Sequence, residues 1–307
     1  MLNTETPSSR HVDLDQYEIA DLARAFTEDQ VEAAKVVHAA AAQLAKAIAA
    51  AVPRLAAGGR LVYVGAGTSG RLGMLDSVEL FPTFSWPHDR AVALIAGGQG
   101  AIFQAVEGAE DDRAQGGIDV SQAQVGPNDV VLLIAASGAT PYVLGALEAA
   151  QSAGALTVGI ANNPASPVAT LAEIGITLDT GSEVISGSTR LKAGTAQKIA
   201  LNTLSSAIMV RLHKVYGNLM VDLCPTNAKL YRRAIALTVK ATGADEAEAR
   251  RVLEACDYRI KVAIVAIRRK IGVAEARAEL EKTGGNVRQT IEASGELSRP
   301  HAVEGEG

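Results

Sequence analysis

Cysteine is scarce: Cys224 and Cys256 are the only two in 307 residues. Two are too few for a disulfide scaffold, and their separation excludes a local metal knuckle, so a reducing compartment fits best. Aromatics make up only 4% of the chain, which leaves the core to aliphatic side chains. No stretch approaches the roughly 18 consecutive apolar residues of a membrane helix; residues 39–52 are mostly Ala but carry Gln43 and Lys46. Residues 1–16 are polar and acidic, without the apolar centre of a secretory signal. A basic excess is also lacking: 29 Lys and Arg face 34 Asp and Glu, a net charge of -5. That balance excludes a sequence-independent binder of nucleic acid or anionic membrane. His11, His38, His88, His213 and His301 hold no metal-ligand spacing, so no metal site is expected, and no G-x-S-x-G occurs to suggest a hydrolase nucleophile. The expectation is a soluble, cytoplasmic protein with no nucleic-acid or membrane partner.

What is present is aliphatic and glycine-rich: 48% hydrophobic residues, abundant Ala and 29 Gly. Residues 18–26 have a helical pattern. Thr27, with Gln30 three positions on, reads as the capping box of a longer helix closed by Gly58 and Gly59. Strands are expected at 60–64, 91–95, 129–134, 156–160 and 174–178, as short, nearly continuous Val, Ile and Leu runs. Helical patterns lie between them at 71–80, 99–107 and up to about 153, and a long apolar one spans 190–213. Such alternation indicates an α/β fold, a parallel sheet covered by helices on both faces. Beyond Pro225 the strands stop, and amphipathic patterns near 227–241, 244–256, 258–270 and 273–283 suggest a small helical domain. The expected organisation is an N-terminal helical segment packing on the main domain over 1–55, the sheet domain over 56–225, the helical domain over 226–292 and a frayed tail over 293–307.

In parallel sheets ligands sit outside the carboxyl ends of the strands, and two Gly/Ser/Thr loops, 65–70 and 135–140, lie there. The first, GAGTSG, is literally a G-x-G-x-x-G. The dinucleotide reading also needs a ribose-binding carboxylate at the end of the second strand, yet that strand ends in Ala96, Gly97, Gly98 and Gln99. The alternative is a phosphate monoester held by hydroxyls, backbone amides and a helix N-terminus. The candidates are Gly67, Thr68 and Ser69; Ser137, Gly138 and Thr140; and Ser188, Thr189 and Lys192 at the start of the long helix. Each hydroxyl taken singly could be a helix N-cap, the commonest job of Ser and Thr at such places; three such loops together favour a phosphorylated small molecule. Glu79 and Glu110 follow elements that leave this edge. They are either an acid/base pair or solvated surface charges, as Glu107 and Asp112 are expected to be.

Longer motifs point further. VGAGTSGRLG at 64–73, LIAGG at 94–98, AVEGAED at 105–111, IAASG at 134–138, TPYV at 140–143, GSTRLKAGTAQK at 187–198 and KVYGNLMVD at 214–222 closely resemble the N-acetylmuramic acid 6-phosphate etherases. The likeness runs in order over about residues 5 to 290. It implies a sugar-isomerase (SIS) domain, flavodoxin- or Rossmann-like, with a small ubiquitin-associated-like helical domain behind it. It also implies a homodimer with active sites near the interface and no metal or organic cofactor. The implied reaction removes D-lactate from the C3 ether of a phosphorylated amino sugar. By resemblance Glu110 matches the presumed C2 base, and Glu79 the carboxylate that protonates departing lactate and then activates water. Ser69, Ser137, Ser188 and Thr189 match the phosphate and sugar loops. Within residues 80–86, LFPTFSW, Leu80 and Phe81 stand where family members often carry small or Pro residues. Two rival readings share the loops: a sugar-phosphate sensor of the glucokinase-regulatory type, and a sugar-phosphate isomerase.

Overall fold

The computed structural model describes residues 2–223 and 225–293; Cys224 and the expected tail beyond 293 lie outside the described residues. The chain divides into two compact units, Met1–Phe81 with Trp86–Ile208, and Pro82–Ser85 with the residues from Met209 onward.

The first unit is built on β1 (Leu61–Gly65), β2 (Ala91–Ile95), β3 (Val130–Ala135), β4 (Leu156–Ala161) and β5 (Ile174–Thr177), paired in parallel in the order β2-β1-β3-β4-β5. Every residue of β1, β3 and β4 is buried, which is why these strands read as continuous apolar runs. The helices of this unit begin with α1 (Ile19–Ala39), α2 (Ala41–Ala56), α3 (Gly67–Phe84) and α4 (Gly100–Phe103). They continue with α5 (Arg113–Gln122), α6 (Pro141–Ser152), α7 (Pro167–Leu171) and α8 (Lys192–Arg211), the last running on past Ile208. Val62, Val64, Val131 and Leu133 pack toward α5 and α6 with Tyr142, Val143, Ala146 and Leu147. Tyr63 and Ile134 face α3, where Gly73 comes close enough that a methyl there would stand 3.0 Å from Tyr63 Cβ. Burying each large aliphatic side chain contributes about 1.5–3 kcal/mol. A polar network ties this face together: Asp76 accepts hydrogen bonds from Tyr63 Oη (2.7 Å), Asn202 Nδ2 (2.6 Å) and Ser205 Oγ (3.1 Å).

Several local expectations change. Thr27 lies inside α1, its hydroxyl donating back to the carbonyls of Ala23 (2.8 Å) and Arg24 (3.1 Å), and the break falls at Ala40, where α1 and α2 meet at 55°. Only Gly100–Phe103 of the 99–107 stretch is α-helical. Arg113–Gln122 is a helix that its two glycines conceal in the sequence, started by Asp112, whose carboxylate accepts from Gln115 N–H (2.9 Å). No single helix among the described residues is long and apolar enough to cross a membrane.

The second unit contains a short antiparallel hairpin, β6 (Val215–Tyr216) with β7 (Leu219–Met220), and helices α9 (Ala228–Thr242), α10 (Glu246–Ala255), α11 (Ile260–Arg269), α12 (Val273–Lys282) and α13 (Val287–Glu292). Asn227, Asp245 and Asn286 cap α9, α10 and α13 through their side chains, and Gly243 at φ 78° ends α9. Val221 and Leu223 join Leu253, Ile260 and Ile264 in its core. Cys256 is buried there as a free thiol, and burial pushes its pKa up.

Candidate active site

Strand order 2-1-3-4-5 reverses direction between β1 and β3, and a ligand crevice is expected at the carboxyl ends of those two strands. A cleft of about 380 Å³ opens there.

Its floor is made by the turn from β1 into α3. Here the glycines have a steric job: a methyl on Gly70 would stand 2.7 Å from Gly65 O and 2.6 Å from Ile95 Cγ1, so the close turn excludes side chains. The turn aims the start of α3 into the cleft, with Gly67, Thr68 and Ser69 lining it. The first N–H groups of a helix have no partner within it and carry the positive end of its dipole, a ready anion site. Ser69 is 7% exposed and donates to Gln197 Oε1 (2.9 Å), whose Nε2 in turn donates to Asn162 Oδ1 (2.9 Å). That chain fixes the serine at the junction of α3, α8 and β4.

The loop after β3 supplies Ser137 and Thr140. Thr140 occupies the N-cap position of α6 but its side chain makes no cap bond; its hydroxyl pairs with Ser137 Oγ at 3.4 Å instead. The capping explanation therefore fails for Thr140, and both hydroxyls are left facing the cleft. Gly138 does not line the cleft but bends the loop at φ 69°, where a methyl would run into the Ser166 side chain.

Thr189 lines the cleft while Ser188, next to it, does not. Lys192 corrects the sequence-based expectation. Its ammonium is buried and turned away, donating to Asp29 Oδ1 (2.7 Å) and to the Ser182 carbonyl (2.7 Å). The N-terminus of α8 is also taken: Glu183 accepts from the N–H groups of Lys192 (2.9 Å) and Ala193 (2.8 Å). Burial pushes the Glu183 carboxyl up, and those two amides pull against it. Among the described residues, then, no Lys or Arg lines the cleft, and the helix ends that open onto it are those of α3 and α6.

Glu110 sits in the short turn Ala109–Asp111, after Gly108 at φ 73°, and reaches the cleft together with Asp111. Glu79 does not line it: it is exposed on α3, twelve residues past Gly67, which at 1.5 Å per residue is about 18 Å along the helix. Two charged lining residues lay outside the sequence-based candidates, Asp111 and Glu5; the place of Glu5 in the cleft depends on a contact across 159 positions of chain. No group of three or more His, Cys, Asp or Glu suited to a metal ion occurs among the described residues.

Residues 43–151 match the model of the glucokinase regulatory protein N-terminal SIS domain, 113–207 that of the SIS domain, and 217–263 that of the C-terminal lid domain of glucokinase regulatory protein. A parallel sheet of this order with hydroxyl-rich loops at its β1 and β3 ends thus places the chain among SIS-domain proteins. An N-acetylmuramic acid 6-phosphate etherase of Deinococcus radiodurans is 58% identical over 94% of this chain and 94% of its own length. Those of Pectobacterium atrosepticum, at 45% over 94% and 96%, and Rubrobacter xylanophilus, at 46% over 97% and 98%, are similar throughout. The chain belongs to the N-acetylmuramic acid 6-phosphate etherase family.

Proposed function

We propose that this chain cleaves the C3 lactyl ether of N-acetylmuramic acid 6-phosphate, eliminating D-lactate and adding water to give N-acetylglucosamine 6-phosphate, a step of cell-wall sugar recycling in the cytoplasm. The observation that carries this reading is Glu110 on the rim of the same cleft as the α3 N-terminus and the hydroxyls of Ser69, Ser137, Thr140 and Thr189.

An alkyl ether resists direct hydrolysis, so the work falls to the neighbouring carbon. Phosphate held at the α3 end fixes the sugar, and ring opening exposes an aldehyde at C1 that acidifies the C2 proton. Glu110 takes that proton, the C3–O bond breaks, and lactate leaves with its own ether oxygen, protonated by Glu79. Water then adds to C3 of the unsaturated aldehyde, giving one proton to the Glu79 carboxylate while Glu110 returns a proton to C2. Two carboxylates in different surroundings are what such a sequence needs.

Glu79 has to come from elsewhere than this chain's own cleft, and a second copy supplies it in this reading. Leu75, Val78 and Phe81 are exposed beside it on α3 at 47%, 51% and 37%, an apolar stripe of the kind that marks an interface. The glucokinase-regulatory reading accounts for the phosphate loops and for the matching domain models but leaves Glu110 without a task.

The test is turnover of N-acetylmuramic acid 6-phosphate in water labelled with heavy oxygen. Label is expected at C3 of the sugar product and not in lactate. Label in lactate, or no lactate from folded protein, overturns the reading.

A further inference from the structure

Three carboxylates face the cleft, those of Glu5, Glu110 and Asp111, and the proposed chemistry uses one of them. Glu5 is held there by an arrangement independent of the glycine loops. It ends a short 3-10 turn, Asn3–Glu5, whose middle residue Thr4 is fully buried. Thr4 N–H donates to Asn163 Oδ1 (3.3 Å), and Asn163 Nδ2 donates to Thr4 Oγ1 (2.9 Å) and to the Ala136 carbonyl (2.9 Å). Asn3 Nδ2 donates to Asp179 Oδ1 (3.1 Å), and Ser8 N–H to Ser186 Oγ (3.3 Å). Residues 3–8 are therefore laced to the loops that follow β4 and β5, and through Asn163 to the residue before Ser137.

The Glu5 carboxylate itself is left over. No described residue donates to it, and it lies beside Gly187, where a methyl would stand 3.1 Å from its Oε2. A buried Thr–Asn pair thus holds a solvent-exposed carboxylate with no donor from the described residues, two oxygens with about four lone-pair sites, over a cleft into which the N-terminus of α3 opens. Next to a phosphate that charge would repel. It is favourable only where the ligand presents uncharged donors.

We propose that Glu5 is a substrate-contacting specificity residue, accepting hydrogen bonds from the O–H and N–H donors of the amino sugar away from its phosphate. The inference rests on the proposed function for the class of ligand, a phosphosugar. Calorimetric titration of the full chain with N-acetylglucosamine 6-phosphate and, separately, with inorganic phosphate tests it. E5A should weaken the sugar phosphate roughly 10- to 100-fold, the range carried by hydrogen bonding to a charged group. Inorganic phosphate should bind as well or better once the like charge is gone. E5Q keeps one acceptor oxygen and should fall between, and it decides the matter alone if E5A does not fold. Sugar-phosphate affinity within about twofold of wild type in both variants, well under one such bond, overturns the proposal. So does a parallel loss of inorganic phosphate, which would make the segment architectural. Wild-type protein that binds the sugar phosphate but releases no lactate sinks the etherase reading and leaves this one standing; wild-type protein that binds no sugar phosphate contradicts both.

Discussion

Lys192 stands in a family-like motif and Glu79 matches a family carboxylate by resemblance, yet their surroundings set them apart: Lys192 is buried and paired, Glu79 exposed on α3. The Lys192 ammonium and the Asp29 carboxylate are 6% and 14% exposed and 2.7 Å apart, and the second Asp29 oxygen has no partner. A pair this secluded contributes little net stability while intact, but removing one member strands the other charge. K192M should therefore lower unfolding stability by about 3–5 kcal/mol, with the D29N change on the same chain recovering much of it. Phosphate affinity of the folded protein should stay near that of the parent chain. Denaturant unfolding with phosphate titration checks both, and a large loss of phosphate affinity without destabilisation would put Lys192 back among the ligands. The sequence could not separate these outcomes, because a lysine at the start of a helix beside Ser and Thr reads the same whether its stem turns toward the cleft or toward α1.

At the scale of elements, the helix missed in the sequence is the one that carries the clearest packing constraint. α5 contains Gly116 and Gly117, which argue against a helix on propensity; the structure shows what Gly116 is for. A methyl on Gly116 would run into the Tyr142 carbonyl, and one on Gly145 of α6 into the Arg113 carbonyl, so α5 and α6 cross nearly backbone to backbone. Tyr142 locks the crossing by donating to Asp119 Oδ2 (2.6 Å), and burial with that bond raises its pKa. G145V should cost about 1–3 kcal/mol or more, since a backbone carbonyl cannot swing aside as a side chain would. It should also weaken phosphate binding, because α6 begins at the cleft with Pro141. A denaturation midpoint unchanged in G145V would contradict the close crossing. By contrast the five strands were legible, since full burial of β1, β3 and β4 makes them nearly continuous aliphatic runs and the edge strands β2 and β5 keep mostly apolar residues. The cleft loops were legible for a different reason: one Ser or Thr at a strand end can be a mere N-cap, but Gly, Ser and Thr recur together at the ends of both β1 and β3, where ligands of parallel sheets sit. Glu5 was not, because nothing local in the first residues indicates that Thr4 will be buried against Asn163.

For the molecule as a whole, the decisive feature is that one cleft holds Glu110 but not Glu79. In the proposed shared site Glu110 comes from one copy and Glu79 from another, across the α3 stripe of Leu75, Val78 and Phe81. A two-fold dimer makes this claim countable. In a mixed dimer of E79A and E110A, one site lacks both carboxylates and the other has both intact. Lactate release from an equal mixture of the two variants, dissociated and reassembled, is the most direct test. Random pairing makes half the dimers mixed, so about a quarter of wild-type activity should return, although each variant alone is nearly inactive. No recovery from well-folded mixed dimers, or near-full activity of either variant alone, would contradict the shared site.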